Sequence, residues 1–221
     1  MSRGQNRGQN RAKLDQYWTP DPLAEKLVEL LPIWQDETAL EPHAGGGAFV
    51  KALRKRASWV GAIDLDPTAP GLELASHSWV ADSTTFEWRA GGIWAPPVWV
   101  GGNCPYKEAV KHVRAALKLS RRHVFFLIPL SFLESEGRSG FWRGEGACLR
   151  GFWALQERVP FLRATQGPGS LGKPLDLFQA AGVAPSKDDG GGNSTPLAFF
   201  WWDKEHSGPP EHFVPCWSWK V

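Results

Sequence analysis

Glu41-Pro42-His43-Ala44-Gly45-Gly46-Gly47-Ala48-Phe49 follows the short run Thr38-Ala39-Leu40 and leads into Phe49-Val50-Lys51-Ala52-Leu53-Arg54, which reads as the opening of a helix. Strand, glycine-rich turn and helix in that order bring backbone amides toward a bound carboxylate or phosphate. Glycines there allow positive φ and a close approach of a ligand to the main chain. No Lys-Ser/Thr follows the glycines, so this is not a Walker loop, and the GxGxxG dinucleotide pattern is also missing. A plain turn would use the same glycines, so the neighbouring segments must decide.

Working outward, Trp59 to Leu65 reads as a strand ending in Asp64-Leu65-Asp66-Pro67, and Ser78-Trp79-Val80-Ala81 as another ending at Asp82. Pro97 to Gly102 is apolar and extended and runs into Asn103-Cys104-Pro105-Tyr106. A helix is expected over Lys107–Leu119, and His123–Pro129 is the clearest buried strand. Upstream, Leu23, Leu27, Leu30 and Leu31 fall at helical spacing behind Thr19-Pro20-Asp21-Pro22. Leu197 to Trp202 is the last strand candidate. Strands alternating with helices predict an α/β fold: a mostly parallel central sheet flanked by helices, with an irregular insertion in the second half.

The insertion, 132–192, is polar, glycine-broken and a candidate for substrate recognition within a domain spanning 15–203. Residues 1–14 hold a tandem RGQN repeat with three Arg and one Lys and nothing to bury, which predicts a disordered basic arm able to touch phosphates. Residues 204–221 read as a surface-hugging tail. Lys and Arg (25) nearly balance Asp and Glu (23), so any contact with a polyanion must come from a local patch. Three Cys without a CxxC argue against a disulfide framework or structural zinc, and the six His show no metal-ligand spacing. No apolar run approaches a membrane span, so a cytoplasmic protein with no membrane contact is expected.

Position gives several polar residues a chemical meaning. Asp64, 17 residues past Gly47, is placed to accept from ribose hydroxyls, although Asp and Pro also suit a plain turn. Asp82 could accept from an adenine amino group. The Asn103 side-chain oxygen and the Cys104 backbone carbonyl are two acceptors for one exocyclic amine, and Tyr106 offers a face on which an extruded base can stack. His43 would pack beside a bound ligand.

These segments together resemble the S-adenosylmethionine-dependent DNA adenine-N6 methyltransferases, in particular small phage-encoded ones. The resemblance rests on Glu-Pro-x-Ala-Gly-x-Gly-x-Phe, an acidic residue after the next strand and Asn-x-Pro-Tyr after the fourth, over roughly residues 15–203. Tyr17-Trp18-Thr19-Pro20 is similar to the Tyr-x-Thr-Pro segment that precedes the glycine-rich motif in many members. Arg158-Val159-Pro160-Phe161 and Asn193-Ser194-Thr195-Pro196 are weaker likenesses. The resemblance implies catalysis by Asn103, Cys104, Pro105 and Tyr106, with Tyr106 and Phe161 against the substrate base. It implies a cofactor site of Tyr17, Thr19, Pro20, Glu41, His43, Ala44, Gly45, Gly47, Phe49, Asp64, Leu65, Asp82, Ser83 and Asn103. The implied cofactor is S-adenosyl-L-methionine, leaving S-adenosyl-L-homocysteine, with no metal. The implied partner is DNA whose target adenine is flipped out of the stack, bound by a chain taken to be a monomer. Cys104 stands where the family has its first Pro; the backbone carbonyl is kept and the ring that stiffens the loop is lost. A methyltransferase of RNA or of a protein glutamine, or a homologue that binds cofactor without turnover, are the alternative readings.

Overall fold

The computed structural model describes residues 17–87, 95–134, 136–163 and 195–220. The expected basic arm, residues 1–14, and the segment 164–194 lie outside the described residues. The elements are β1 (Tyr17–Trp18), α1 (Asp21–Glu29), β2 (Thr38–Glu41), α2 (Ala48–Arg54), β3 (Trp59–Asp64), α3 (Pro70–Glu73), β4 (His77–Val80) and β5 (Trp99–Gly102). They continue with α4 (Ala109–Leu119), β6 (His123–Pro129), α5 (Ser139–Arg143), β7 (Leu149–Leu155), β8 (Leu162–Arg163), β9 (Leu197–Asp203) and β10 (His212–Trp217).

Eight strands form one sheet in the order β10-β7-β9-β6-β5-β2-β3-β4. Only β9 runs against its neighbours, pairing with β6 from His123↔Asp203 to Pro129↔Leu197. The sheet is buried on both sides because its central strands carry continuous apolar runs, such as Val124–Ile128 and Leu197–Trp202, not an apolar residue at every second position. On β9, Leu197, Phe199 and Trp201 enter one core. Ala198, Phe200 and Trp202 enter the other. Leu23 and Leu27 of α1 and Val50 and Leu53 of α2 cover the first face, while Val113, Ala116 and Leu117 of α4 cover the second. Each such Leu contributes about 1.5–3 kcal/mol through burial.

The start of α1 follows from its prolines. Pro20 ends the preceding extended segment, and its carbonyl accepts from the amides of Leu23 and Ala24, both at 3.1 Å. Pro22 sits in the first turn, where no N–H is needed. The expected helix 107–119 is a 3₁₀ turn over Tyr106–Glu108 followed by α4.

Beyond the two-residue strands β1 and β8, which the sequence reading did not contain, two longer strands depart from it. β7 lies inside the span expected to be an irregular insertion, and Arg150 and Gly151 hide it by breaking its apolar run. Gly151 is required there, because a Cβ would press on His212 of β10. β10 lies in the segment read as a tail and joins the sheet edge parallel to β7. It is mostly exposed and carries Pro215, so it shows no alternation; an edge strand tolerates a missing N–H. Among the described residues no helix is long and apolar enough to cross a membrane.

Candidate active site

The C-terminal ends of β2, β3, β4 and β5 converge on one end of the sheet, the usual ligand crevice of an open parallel sheet. The glycine-rich turn after β2 works by left-handed backbone at Gly45 (φ 45) and Gly47 (φ 86). Gly47 N–H closes the turn onto the Ala44 carbonyl at 2.8 Å, and Gly47 C=O accepts from Lys51 to begin α2. Asp64 staples this loop to β3: one carboxylate oxygen accepts from Gly45 N–H at 2.8 Å and the other from Asp66 N–H at 2.9 Å. The residue expected to meet a ribose is therefore already engaged in shaping the loop.

Glu41 is buried at the floor. Its Oε1 accepts from His43 N–H at 3.0 Å, while Oε2 is buried with no hydrogen-bond partner. Burial pushes its carboxyl well above the usual carboxylate range; the His43 amide opposes this and Asp64 adds to it. A buried, unpartnered carboxylate oxygen suits a cationic group such as an α-ammonium.

His43 is not a passive neighbour. Its Nε2 lies 2.9 Å from His112 Nδ1 and 3.1 Å from Ser83 Oγ, so the glycine-rich loop, the loop after β4 and α4 are knit at one nitrogen. Burial, and then His112, lower its basicity well below an ordinary imidazole. Asp82, expected to meet an adenine, turns its Oδ1 to Thr84, accepting from the amide at 2.8 Å and the hydroxyl at 2.7 Å. Leu65 stands 71% exposed at the rim. Phe49 is core, 6.0 Å from the Phe125 ring, and also borders the recess.

At the end of β5, Asn103 Nδ2 donates to Thr19 Oγ1 at 3.2 Å. That bond orients the amide, and Asn103 Oδ1 is left buried and without a partner. Burial pushes the Cys104 thiol far up, so it holds its proton. Pro105 is exposed and leads into the 3₁₀ turn at Tyr106. Tyr106 has a half-buried ring, and its centroid lies 6.4 Å from that of Phe161, with the planes at 61°. The antiparallel pairing of β1 with β8 (Trp18↔Leu162) carries Phe161 to this place from far along the chain. The Tyr17 backbone is part of that ribbon; its side chain lies outside the described residues.

Sequence reasoning missed Trp18, Gly46, Gly102 and His112. The Trp18 indole packs on Gly46 so closely that a Cβ there would lie 2.9 Å from Cδ2. Its position between Tyr17 and Thr19 was the available signal. The recess between Trp18, Thr19, Glu41, the glycines and Asn103 has a volume of about 40 Å³. Among the described residues no group of three or more His, Cys, Asp or Glu is placed to hold a metal.

The fold is shared with solved methyltransferase structures at low sequence identity. A proposed RNA methyltransferase from Pyrococcus horikoshii superposes with a TM-score of 0.56 at 14% identity, covering 86% of this chain and 88% of that one. The 23S rRNA methyltransferase ErmE gives 0.55 at 15%, covering 87% and 71%. The modification subunit of a proposed type I restriction enzyme from Vibrio vulnificus YJ016 gives 0.58 at 15%, covering 93% of this chain and 48% of that one. The chain thus spans about half the length of that subunit. No protein-family model matches the sequence, and no curated protein matches it.

Proposed function

We propose that this protein transfers a methyl group from S-adenosyl-L-methionine to the exocyclic 6-amino group of an adenine in DNA. The observation that carries the reading is Asn103: its amide nitrogen is held by Thr19, and its buried oxygen, lacking a partner, is an acceptor waiting for a donor. An exocyclic amine is such a donor, and the Tyr106 ring, backed edge-to-face by Phe161, offers an aromatic face for the flat base that bears it.

When bound, S-adenosylmethionine supplies a methyl group already activated by its sulfonium. The protein's own work is therefore to orient the amine and exclude water. Asn103 Oδ1, with the Cys104 carbonyl, would accept hydrogen bonds from the two amine N–H groups and favour a tetrahedral nitrogen with its lone pair free; the one proton that the amine loses on methylation passes to water. Tyr106 would stack on the extruded base and offset part of an unstacking cost of a few kcal/mol. Glu41 Oε2 would take the α-ammonium of the amino-acid arm over the glycine-rich turn, and Asp64, whose oxygens already accept from Gly45 and Asp66, would accept from the ribose with its remaining lone pairs. Cys104, protonated and buried, is not a nucleophile in this scheme.

Methyl-labelled cofactor incubated with the protein and DNA, RNA or bulk protein tests the reading. Label should appear in DNA as N6-methyladenine. Label in RNA alone would favour the activity that the RNA-methyltransferase neighbours carry in their names, and label in none would overturn both.

A further inference from the structure

A groove of about 500 Å³ runs from Tyr106 along the outer face of α4. Lys107, Lys111, Arg114 and Lys118 recur every three or four residues, which places them in one exposed row, and Arg138 faces them across the groove. Glu108 is the single acid among the lining residues. On a chain whose net charge is only +2, this is a strong local concentration of positive charge. Two of the cations are held in place by packing. Arg114 lies over the Phe141 ring at 5.8 Å and pairs with Glu145 at 3.3 Å. Arg138 lies over Phe132 at 5.4 Å and donates to the Glu134 carbonyl at 2.9 Å. Lys107, Lys111 and Lys118 make no ion pair among the described residues.

We infer that this row is the track on which the phosphate backbone of the substrate DNA docks. The inference rests on the reading of Asn103 and Tyr106 above, and adds where the strand lies. Charge complementarity chooses the occupant: a row of unpaired ammonium groups in an open groove matches a string of phosphates, not an apolar peptide. Position agrees, because the row begins at Tyr106, where an extruded base must leave the strand. From Lys111 to Lys118 the helix rises about 10 Å, close to three nucleotides of one strand at about 3.4 Å each.

The test is binding of a fluorescent DNA oligonucleotide, double- and single-stranded, as a function of salt. Lys111→Gln/Lys118→Gln should weaken duplex binding about tenfold or more at low salt and flatten the log K against log salt slope by about 1.8, or about 1.4 for a single strand. Lys26→Gln/Lys55→Gln removes the same charge from surface ion pairs on the opposite face of the sheet and should change neither quantity. Equal effects of the two double variants, an unchanged slope in the first, or binding of an RNA oligonucleotide but not DNA would each overturn the inference. Methyl transfer separates the two readings. A wild-type protein that holds DNA through these lysines yet transfers no methyl upholds the track and removes the reaction. One that methylates DNA equally well with and without Lys111 and Lys118, at DNA concentrations below saturation, upholds the reaction and removes the track.

Discussion

The carboxylate of Glu41 fills the space that a side chain on Gly102 would need. The ends of β2 and β5 are thereby locked together one residue before Asn103. Gly102→Ala must push the Glu41 carboxylate aside, with an overpacking cost of about 1–3 kcal/mol. Thermal unfolding should show that loss, and Glu41→Ala/Gly102→Ala should recover part of it because the clash is relieved. A double variant no better than the sum of the singles would mean that the two residues are not coupled.

Glu41 also gives cofactor binding a pH dependence of definite sign. Burial raises its pKa, so the protonated form persists to higher pH than in an ordinary carboxyl, and only the ionised form attracts an α-ammonium group. Affinity for S-adenosylmethionine should rise as pH climbs through that raised pKa, with a proton released on binding. Calorimetry in buffers of different ionisation enthalpy reads the proton directly. Glu41→Gln should bind more weakly and lose the pH dependence; a wild-type affinity that falls with rising pH would remove Glu41 from this role.

Asn103→Ala should abolish most turnover, and its affinity for cofactor should fall by less than about tenfold, the loss of one side-chain hydrogen bond to Thr19. Cys104→Ala and Cys104→Pro should both stay active, since the backbone carbonyl is common to all three. An inactive Cys104→Ala that still folds and binds cofactor would give the thiol a chemical part and end the mechanism drawn here.

Phe161 is 7% exposed and belongs to the core cluster as well as to the pocket wall. Phe161→Leu keeps most of the buried volume and should cost less than about 1.5 kcal/mol of stability. With the fold intact, it should raise the KM for DNA and leave cofactor affinity unchanged. Unaltered kinetics in a folded Phe161→Leu would make this residue core alone.

The amino end of β6 and the carboxyl end of β9, paired at His123↔Asp203, carry the acid-sensitive part of the fold, far from the glycine-rich loop. Burial, against the pull of Asp203, lowers the His123 imidazole to about 4, and its Nδ1 accepts from Trp201 Nε1 at 3.3 Å. A histidine held below its unfolded value stabilises the fold fully above about pH 6.5 and loses that contribution as pH falls, up to about 3 kcal/mol by pH 4. Asp203 resists burial and is held below its usual value chiefly by Arg122, so its contribution goes at still lower pH. Denaturant unfolding between pH 7 and 4 should show the first decline, and His123→Gln should flatten it. A slope unchanged in that variant would assign the acid sensitivity elsewhere.

Local patterns were enough to read β2, β3, β5, β6 and β9, because continuous apolar runs bounded by Gly, Pro and Asp have few other solutions. The same holds for the glycine-rich turn and for Asn103-Cys104-Pro105-Tyr106, whose residue types act through their own backbone and side-chain atoms. β7 and β10 could not be read, because an edge strand with Pro215, and a strand broken by Arg150 and Gly151, draw their order from partners distant in sequence. The partners of Glu41, His43 and Asn103 were equally hidden: Gly102, His112 and Thr19 lie 61, 69 and 84 residues away along the chain. So was the meeting of Tyr106 with Phe161, which exists only once β1 pairs with β8 at the strand ends. Sequence determines which atoms are available for chemistry, and long-range packing decides which of them are left buried, unpaired and facing one another.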